Sequence, residues 1–480
     1  MPARILLVNP PVPEKARWVR EGRCQQRDIW GAPYPPLSLA RVSAQLARAG
    51  FETRIIDAGP EGKDLGAVLN EGRSFAPGIV FLTAATPTLR SDLGWFAPAL
   101  KKRLPAAKIA AMGVHVTALP EQVLSRYGAL DFAVLGEPEA VALDLASALS
   151  SGGSVDPVRG IACRDERGLP RVHAPARPIE DIDSLGFPDW GKVDRAKYLM
   201  PIVGRPFTVI EFSRGCPYAC GFCMAHAYGG RRIRRRSVDS MLEEIRFNLS
   251  LGVEDFLFWS ELMTEDGAFL DRFLDTIIGE GLPARIRWVC NSRVDGLTAE
   301  LAGRMRRAGC WQIAFGFEFG DERILRLARK GGSATLERGR RAAEAAHDAG
   351  IAASGHFVMG YPGESIETLR ATAEYARSLP LTFAHFYAAA PFPGSPLFLE
   401  ALEKGWLDPA DVESISQDKA SLRLDGLEPA AVDREIRRAY RSFYLDPRVL
   451  RRICRLPASP REFAGLAALG LRALPFLKLL

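Results

Sequence analysis

Residues 213–223 read SRGCPYACGFC, and this stretch decides the fold because it sets a cysteine-rich loop directly after a short β-branched run. The cysteines are Cys216, Cys220 and Cys223, separated by three and then two residues. The run that leads into them, FTVIEFSRG, predicts a buried strand. Active sites of β/α barrels lie where such strands end. The stretch therefore predicts a barrel with a metal centre at its mouth.

The spacing of the three cysteines predicts an iron–sulfur cluster. Such clusters usually take four cysteine ligands, so three cysteines leave one iron open to bind another molecule. Zinc is the alternative, because clustered cysteines also bind zinc, and His226 is then the candidate fourth ligand. Zinc sites normally show a second pair of Cys or His at short spacing, and the position at a barrel mouth favours the cluster. We predict a 4Fe-4S cluster on Cys216, Cys220 and Cys223.

The sequence after the cysteines continues as alternating strands and helices. Apolar runs such as DFLFWS, RIRWVCN, QIAFGFE, ASGHFVMG and AHFYAAAP alternate with helical stretches. Together with the first strand they make a series of six strands and five intervening helices, which suits a partial or full β/α barrel ending near Pro396.

A separate series of strands and helices runs from the N-terminus to about residue 148. Runs such as ILLVN, TRIIDA, IVFLTA and DFAVLG alternate with helical stretches, which predicts a doubly wound parallel sheet. A Gly/Ser-rich and then Pro-rich stretch follows. We therefore predict a sheet domain at 1–150, a linker at 151–204, the barrel at 205–397 and a helical C-terminal region at 398–480.

Composition indicates the class of protein and its compartment. The chain has 480 residues, 47% hydrophobic and 25% charged, and a net charge of +6 that gives no case for a nucleic acid partner. Eight scattered cysteines are too sparse for a disulfide scaffold, and no export signal is visible, so the cytoplasm is the expected compartment. The apolar segment 461–480 predicts either an interfacial helix in peripheral contact with a membrane or a helix docked on the core.

The cysteine loop and the segments after it resemble the radical S-adenosylmethionine (SAM) superfamily. The segments WVCNSRVDGLTAELAGRMRRAGC, QIAFGFEFGDERILRLARKG and GHFVMGYPGESIETL follow the family's order, and the resemblance covers residues 205–397. It implies that SAM binds the open iron and that one electron from an external donor splits it, giving a 5′-deoxyadenosyl radical that abstracts hydrogen from an unactivated carbon.

Candidate SAM contacts follow from this resemblance and from side-chain chemistry. They are Phe222, Ser260, Glu261, Arg293 and Glu318. Phe222 resembles the aromatic residue near the adenine, and Ser260 and Glu261 stand where many relatives carry two aspartates. Glu318 is expected at the ribose or amine, and Arg293 either binds a carboxylate or makes a surface ion pair. The basic run GGRRIRRRS, at 229–237, either holds an anion or forms a solvated face.

The N-terminal series resembles the cobalamin-binding domain that precedes many radical SAM barrels, over residues 3–148. The resemblance implies that the residues facing the corrin are Asp57, Thr83, Thr86, Gly113, His115, Gly136 and Glu137. Turn formation, capping and loop filling are the alternative roles of these residues. The Asp-x-His-x-x-Gly loop that supplies a cobalt ligand in other cobalamin proteins is absent after the first strand, where the chain reads NPPVPEK. The cobalt is therefore expected to lack a protein histidine ligand.

These features predict a cobalamin-dependent radical SAM enzyme that C-methylates a small hydrophobic substrate of the lipid, terpenoid or tetrapyrrole class. The first alternative is a radical oxidative cyclase or C–C coupling enzyme with the same cofactors and no methyl transfer. The second is a non-catalytic cobalamin or redox sensor, against which the intact cysteine triad speaks. No catalytic side chain can be assigned from the sequence, and substrate contacts follow no spacing rule.

Overall fold

The computed structural model describes residues 3–13, 18–20, 33–331 and 334–479, with side chains up to residue 471. Two large β-sheets organise these residues, one of seven strands and one of six. The prediction of a parallel sheet followed by a partial barrel and a helical C-terminal region is confirmed.

The first sheet has the strand order β2-β1-β3-β4-β5-β6-β7. Its strands are β1 Arg4–Asn9, β2 Glu52–Asp57, β3 Ile79–Thr83, β4 Lys108–Met112, β5 Phe132–Val134, β6 Ile161–Arg164 and β7 Pro170–Val172. The first five are parallel, whereas β6 and β7 are antiparallel additions. These parallel strands are almost continuous apolar runs because helices cover both faces of the sheet.

Seven α-helices surround this sheet in the described residues: α1 Leu37–Arg48, α2 Ala58–Glu61, α3 Leu65–Phe75, α4 Ala97–Arg103, α5 Val114–Ala118, α6 Pro120–Arg126 and α7 Pro138–Ser150. A π-helical turn, Arg90–Phe96, leads into α4.

The stretch predicted as a linker contributes to the first sheet. Strands β6 and β7 both lie within it, and the Cys163 strand pairs antiparallel with β5. The Gly/Ser content predicts a break after α7. The short apolar run IACR at 161–164 nevertheless pairs with β5 and extends the sheet. The four segment boundaries therefore stay a prediction, with the sheet reaching past residue 150.

The second sheet is a partial barrel of six parallel strands in the order β15-β14-β13-β12-β11-β8. These strands are β8 Phe207–Glu211, β11 Asp255–Trp259, β12 Arg287–Arg293, β13 Cys310–Glu318, β14 Ala352–Met359 and β15 Phe383–Ala388. A small hairpin of β9 Ser213–Arg214 and β10 Arg234–Arg235 follows the first of them. Side chains alternate along each strand, so Phe256 and Phe258 pack against the helices while Leu257 and Trp259 face the barrel interior.

The helices of the barrel begin at well-capped residues. They are α8 Ala225–Gly229, α9 Val238–Ser250, α10 Gly267–Gly279, α11 Ala299–Arg307, α12 Glu322–Leu327, α13 Leu336–Asp348 and α14 Ile366–Ser378. Side chains that accept a backbone N–H at an N-cap belong to Ser237, Asp266, Thr298, Asp321 and Thr335.

The C-terminal region covers the open edge of the barrel. Its helices are α15 Pro396–Glu403, α16 Pro429–Tyr444, α17 Pro447–Cys454 and α18 Pro460–Leu479. The Tyr440 hydroxyl accepts the Phe386 N–H at 3.1 Å, and the Tyr444 hydroxyl accepts the Ala384 N–H at 3.2 Å. Helix α16 thereby satisfies backbone groups of β15, the edge strand, which would otherwise remain available for pairing.

The apolar C-terminal helix docks by its first turns. Glu462 accepts a hydrogen bond from Arg287 at 2.8 Å, and Arg461 donates to the Gly204 carbonyl at 2.6 Å. Gly465 is required at its position because a Cβ there would overlap the Ile202 carbonyl. Of the two predictions for this segment, docking on the core holds for residues 461–469. No helix in the described part of the chain is long and apolar enough to cross a membrane.

Candidate active site

The three predicted cluster cysteines lie on one loop at the carboxyl end of the first barrel strand. Cys216 and Cys220 are each 8% exposed, and Cys223 is more open. The loop is fixed by its backbone: the Gly221 N–H donates to Ala328 at 2.8 Å, and its carbonyl accepts the Leu397 N–H at 2.8 Å. The Cys216 N–H donates to Gly230 at 3.1 Å. A loop held on three sides presents its thiols to the barrel mouth.

The donor set of this loop fits an iron–sulfur cluster. Each cysteine of such a cluster binds a different iron, so its ligands do not converge on one ion. Among the described side chains, no group of three or more His, Cys, Asp or Glu residues could hold a single metal ion. The alternative zinc site of the three cysteines with His226 is accordingly not assembled. Burial raises the pKa of the Cys220 thiol, against the lowering effect of the nearby Lys330 and Arg293.

Beneath the loop lies a cavity of about 380 Å³ inside the barrel, which we call the barrel chamber. The predicted SAM contacts that line it are Phe222, Glu261, Arg293 and Glu318. Cys223 lines the same space, so one cluster cysteine and four of the five predicted SAM residues are brought together. This arrangement suits a small molecule bound between the cluster and the barrel interior.

Glu318 and Arg293, two of the charged residues predicted to contact SAM, each form an ion pair within the protein. The Glu318 carboxylate forms an ion pair with Lys330, and Glu318 has a φ of 69°, a rare left-handed conformation for a non-glycine residue. Arg293 pairs with Asp295 at 2.8 Å, and its guanidinium lies 3.9 Å from the centre of the Tyr218 ring. Arg293 is 6% exposed, so its ion pair is buried beside the cysteine loop rather than on the surface.

Ser260 is the predicted SAM residue that the structure does not bring to the chamber wall. Its hydroxyl lies 2.8 Å from the Ser213 hydroxyl and accepts the Leu262 N–H at 3.0 Å. It therefore joins the end of β11 to the hairpin at the cysteine loop. A SAM contact from Ser260 stays a prediction.

A second cavity, of about 210 Å³, lies between the first sheet and the barrel, and we call it the interdomain cavity. The predicted corrin contacts that line it are Thr83, Gly113, Gly136 and Glu137. Gly113 has a φ of 144°, and a Cβ there would overlap the Ala84 carbonyl oxygen. This position in the cavity wall therefore requires glycine. Small residues thus line the interdomain cavity at the carboxyl ends of β3, β4 and β5, the edge where parallel sheets bind ligands.

The two cavities adjoin each other. Tyr34, Trp259 and Glu261 line both the interdomain cavity and the barrel chamber. Glu261 is 6% exposed, and its carboxylate accepts a hydrogen bond from the Tyr228 hydroxyl at 3.2 Å. A ligand bound between the domains and a ligand in the chamber would therefore meet at the end of β11.

The structure does not bring Asp57, Thr86 and His115 to the wall of the interdomain cavity. Asp57 accepts a hydrogen bond from the Tyr198 hydroxyl at 2.7 Å, and burial raises its pKa to about 6. His115 is 3% exposed with its Nδ1 3.2 Å from the Thr86 hydroxyl. For these three residues a corrin contact stays a prediction: Thr86 and His115 contact each other within the sheet domain, and Asp57 contacts Tyr198 in the segment that follows it.

The buried state of His115 leads to a pH prediction. Burial lowers the pKa of His115 to about 4 from 6.5, so between these values the unfolded chain binds a proton that the native chain does not. Stability therefore falls as the pH falls below 6.5. We expect the sheet domain of the unaltered protein to lose about 2 kcal/mol more than a His115→Gln variant between pH 7 and pH 5. Denaturant unfolding at each pH measures this, with exposed His347→Gln as the control, and equal losses in all three proteins would contradict the assignment.

The basic run at 229–237 is only partly a solvated face. Arg234 is 5% exposed and donates two hydrogen bonds, of 2.9 and 2.5 Å, to the Glu137 carboxylate. Arg236 is 1% exposed and pairs with Glu244. The solvated-face interpretation is wrong for these two residues because the hairpin turns them into the protein, where carboxylates neutralise them.

Ion pairs connect the cysteine-loop hairpin to the sheet domain. Arg214, on β9, pairs with Glu139 at 2.5 Å and with Glu211 at 2.7 Å. Arg234, on β10, pairs with Glu137, whose carboxylate also accepts the Ile179 N–H at 2.8 Å. Glu137 and Glu139 stand at the start of α7, next to the interdomain cavity. The hairpin beside the cluster loop is therefore fixed directly to a wall of that cavity.

Two regions of the chain match known protein families. Residues 210–376 match the radical SAM superfamily, and residues 30–146 match the B12 binding domain. The chain is 30% identical over 448 residues to an uncharacterized methyltransferase of Pyrococcus horikoshii, covering 93% of this chain and 94% of the relative.

Two further relatives carry names that state a reaction. The cytidylyl-2-hydroxyethylphosphonate methyltransferase of Streptomyces wedmorensis is 28% identical over 78% of this chain and 79% of its own. The anaerobic magnesium-protoporphyrin IX monomethyl ester cyclase of Cereibacter sphaeroides is 28% identical over 86% of this chain and 67% of its own. Among solved structures, the radical SAM methyltransferase TsrM of Kitasatospora setae, with cobalamin and a 4Fe-4S cluster bound, superposes with a TM-score of 0.67 at 22% identity, covering 84% and 78% of the two chains.

The barrel carries a three-cysteine loop at its mouth and shares a cavity wall with a parallel sheet domain. These two features define a cofactor-dependent barrel enzyme. The chain belongs to the radical SAM superfamily, in the group that carries an N-terminal cobalamin-binding domain. Its cofactors are accordingly a 4Fe-4S cluster, SAM and cobalamin.

Several site residues lie outside the sequence prediction. Lys330 and Asp295 pair with predicted SAM residues, and His356, His385 and Tyr387 line the chamber. His356 lies on β14, and His385 and Tyr387 lie two residues apart on the adjoining strand β15. The sequence predicts both strands. Polar residues at the inward positions of barrel strands were the signal that could have found them.

Proposed function

We propose that the protein is a cobalamin-dependent radical SAM methyltransferase that methylates an unactivated carbon of a small hydrophobic substrate. The observation that carries this proposal is the shared wall of the two cavities at Tyr34, Trp259 and Glu261. Cobalamin held by the interdomain cavity would supply a transferable methyl group, and the adjoining chamber would give a bound substrate access to it.

The residues of the chain divide into three groups by cofactor. Cys216, Cys220 and Cys223 would hold the cluster. The residues proposed for SAM are Phe222, Ser260, Glu261, Arg293 and Glu318. The residues proposed for cobalamin are Asp57, Thr83, Thr86, Gly113, His115, Gly136 and Glu137, of which four line the interdomain cavity. When bound, these cofactors supply a carbon-centred radical and a transferable methyl group.

The protein's own contribution is positioning and exclusion of water. The ion pairs of Arg293 with Asp295 and of Lys330 with Glu318 fix charged groups at the mouth, where they can orient the charged part of SAM. Buried aromatic residues around Phe222, namely Phe319 and Tyr361, pack at ring distances of 6.2 and 6.4 Å and shield the mouth from solvent.

A hydrophobic substrate is supported by the chamber and by one relative. Phe207, Leu257, Val289 and Phe383 line the chamber, and the relative from Cereibacter sphaeroides is named for a tetrapyrrole ester. Helix α18 presents Phe463 and Leu471, 61% and 67% exposed, so a peripheral membrane contact through this helix belongs to the proposal. The cytoplasm is the proposed compartment, and an external donor supplies the electron.

The cyclase reaction is the second candidate, and the similarity over 86% of the chain to a cyclase favours it. The two are separated by their products. Anaerobically reconstituted protein is incubated with cobalamin, SAM, a strong reductant and lipophilic substrates, and 5′-deoxyadenosine and S-adenosylhomocysteine are quantified. Methyl transfer predicts both products in matched amounts. 5′-Deoxyadenosine without S-adenosylhomocysteine would instead assign the cyclase-like reaction.

A further inference from the structure

The walls of the barrel chamber differ in polarity. At one end of the strand order, His356 and His385 stack with ring centres 4.8 Å apart on the neighbouring strands β14 and β15. The Tyr387 hydroxyl lies 2.9 Å from His356 Nδ1. At the other end, β8 and β11 contribute the apolar side chains of Phe207 and Leu257. The chamber therefore offers hydrogen bonds on one side and apolar contact on the other.

The described lining of the chamber offers an anionic ligand no positive charge that lacks a carboxylate partner, and the Glu261 carboxylate adds a negative one. The cationic side chains among its described lining residues are Arg293 and Lys330, which pair with Asp295 and Glu318 at the mouth. His385 is half-buried in the chamber wall, and desolvation there and the neighbouring His356 keep its pKa well below its ordinary value. An anionic group placed deep in this space would lose its hydration without gaining a counter-charge, which is strongly unfavourable.

The floor of the chamber is made by the C-terminal helix. Leu469 of α18 lines the chamber from below, beside Ile202. The helix is fixed there by Glu462 on Arg287 and by the close contact of Gly465 with Ile202. Phe463 lies on the other face of the same helix, exposed to solvent. Leu469 is thus the described residue of the last helix that contributes to the chamber wall.

We propose that the chamber binds a neutral amphipathic substrate, whose hydrogen-bonding group contacts His356 and Tyr387 and whose apolar body reaches Leu469. Leu469 then determines the length of the substrate that is accepted. This inference rests on the proposed function, because it assigns the substrate class of the same site. It distinguishes a neutral alcohol, ketone or amide from an anionic phosphorus-containing compound such as the cytidylyl phosphonate in the name of the Streptomyces relative.

The test measures binding by anaerobic equilibrium dialysis of the reconstituted holoenzyme with three probes: farnesol, the shorter geraniol, and farnesyl diphosphate. We expect farnesol to bind at least about tenfold more tightly than its diphosphate, because the charged head is not compensated. His356→Leu should weaken farnesol binding about tenfold, since it removes the imidazole that hydrogen-bonds the alcohol, and His356→Gln should restore most of the affinity.

The floor is tested on the same helix. Leu469→Trp should weaken farnesol binding more than geraniol binding, whereas the control Phe463→Ala should change neither. Absent farnesol binding, equal or tighter binding of the diphosphate, or Leu469→Trp behaving like the control would overturn the proposal. Cluster and cobalamin absorbance verify that each variant is loaded. SAM cleavage is not measured here, so failure of the proposed function would show separately in the product assay.

Discussion

Replacing Cys223 by serine is expected to abolish 5′-deoxyadenosine formation, lowering it at least about a hundredfold, because catalysis here depends on a cofactor that the cysteine loop must hold. Of the three cysteines of the loop, Cys223 is the one that lines the barrel chamber together with the predicted SAM residues. A serine hydroxyl has nearly the same size but lacks the soft thiolate that binds iron. The measurement is 5′-deoxyadenosine by chromatography, together with iron and sulfide content.

The matched control is Cys454→Ser. Cys454 is exposed at the end of α17, remote in sequence from the loop. This variant should retain the iron content and activity of the unaltered protein. Full 5′-deoxyadenosine formation by the Cys223→Ser variant would remove the loop from the cluster assignment.

Replacing Arg234 by methionine is expected to destabilise the protein by about 3 kcal/mol, the low end of the cost of breaking a buried ion pair, because Glu137 keeps Arg214 at 3.8 Å. The Arg234 and Glu137 side chains are 3% and 8% exposed, and two hydrogen bonds join them. Their loss would also free the start of α7 from the hairpin beside the cysteine loop. We therefore expect weaker cobalamin binding along with the lower unfolding midpoint in denaturant.

The control for this change is Arg232→Met on the same hairpin. Arg232 pairs with Glu180 at 2.9 Å, but the two side chains are 79% and 59% exposed, so the expected change is below about 1 kcal/mol. A double variant, Arg234→Met with Glu137→Leu, removes both buried charges and should recover much of the lost stability. Equal effects of Arg234→Met and Arg232→Met would contradict a buried connection between the domains.

Much of the fold follows from local pattern in the sequence. Barrel strands such as QIAFGFE and the helices that follow capping residues such as Ser237 and Thr335 have strong periodicity and clear starts. The three cysteines could be placed at a strand end because strand and loop are adjacent in sequence. The residues of one loop are fixed by few degrees of freedom, so spacing alone predicts their proximity.

The remaining site residues depend on contacts between distant segments. Arg234 reads as one charge in a basic run, and only the partner Glu137, 97 residues away, shows that it is buried. His115 follows a strand that faces the interdomain cavity, yet its side chain turns to Thr86 inside the sheet domain. The floor residue Leu469 comes from a helix whose apolar pattern fits docking and membrane contact equally well. Such pairings leave no periodic trace in the sequence.

We expect the cysteine loop and the interdomain cavity to hold their cofactors side by side, and electron paramagnetic resonance can measure the proximity of the two cofactors. Holoenzyme containing both the reduced cluster and cob(II)alamin is compared with two samples that each contain one of these paramagnets, the Cys223→Ser variant loaded with cobalamin and the cobalamin-free protein. Adjacent cofactors should give spin–spin broadening or faster relaxation in the doubly loaded sample. A spectrum equal to the sum of the two single spectra would contradict it.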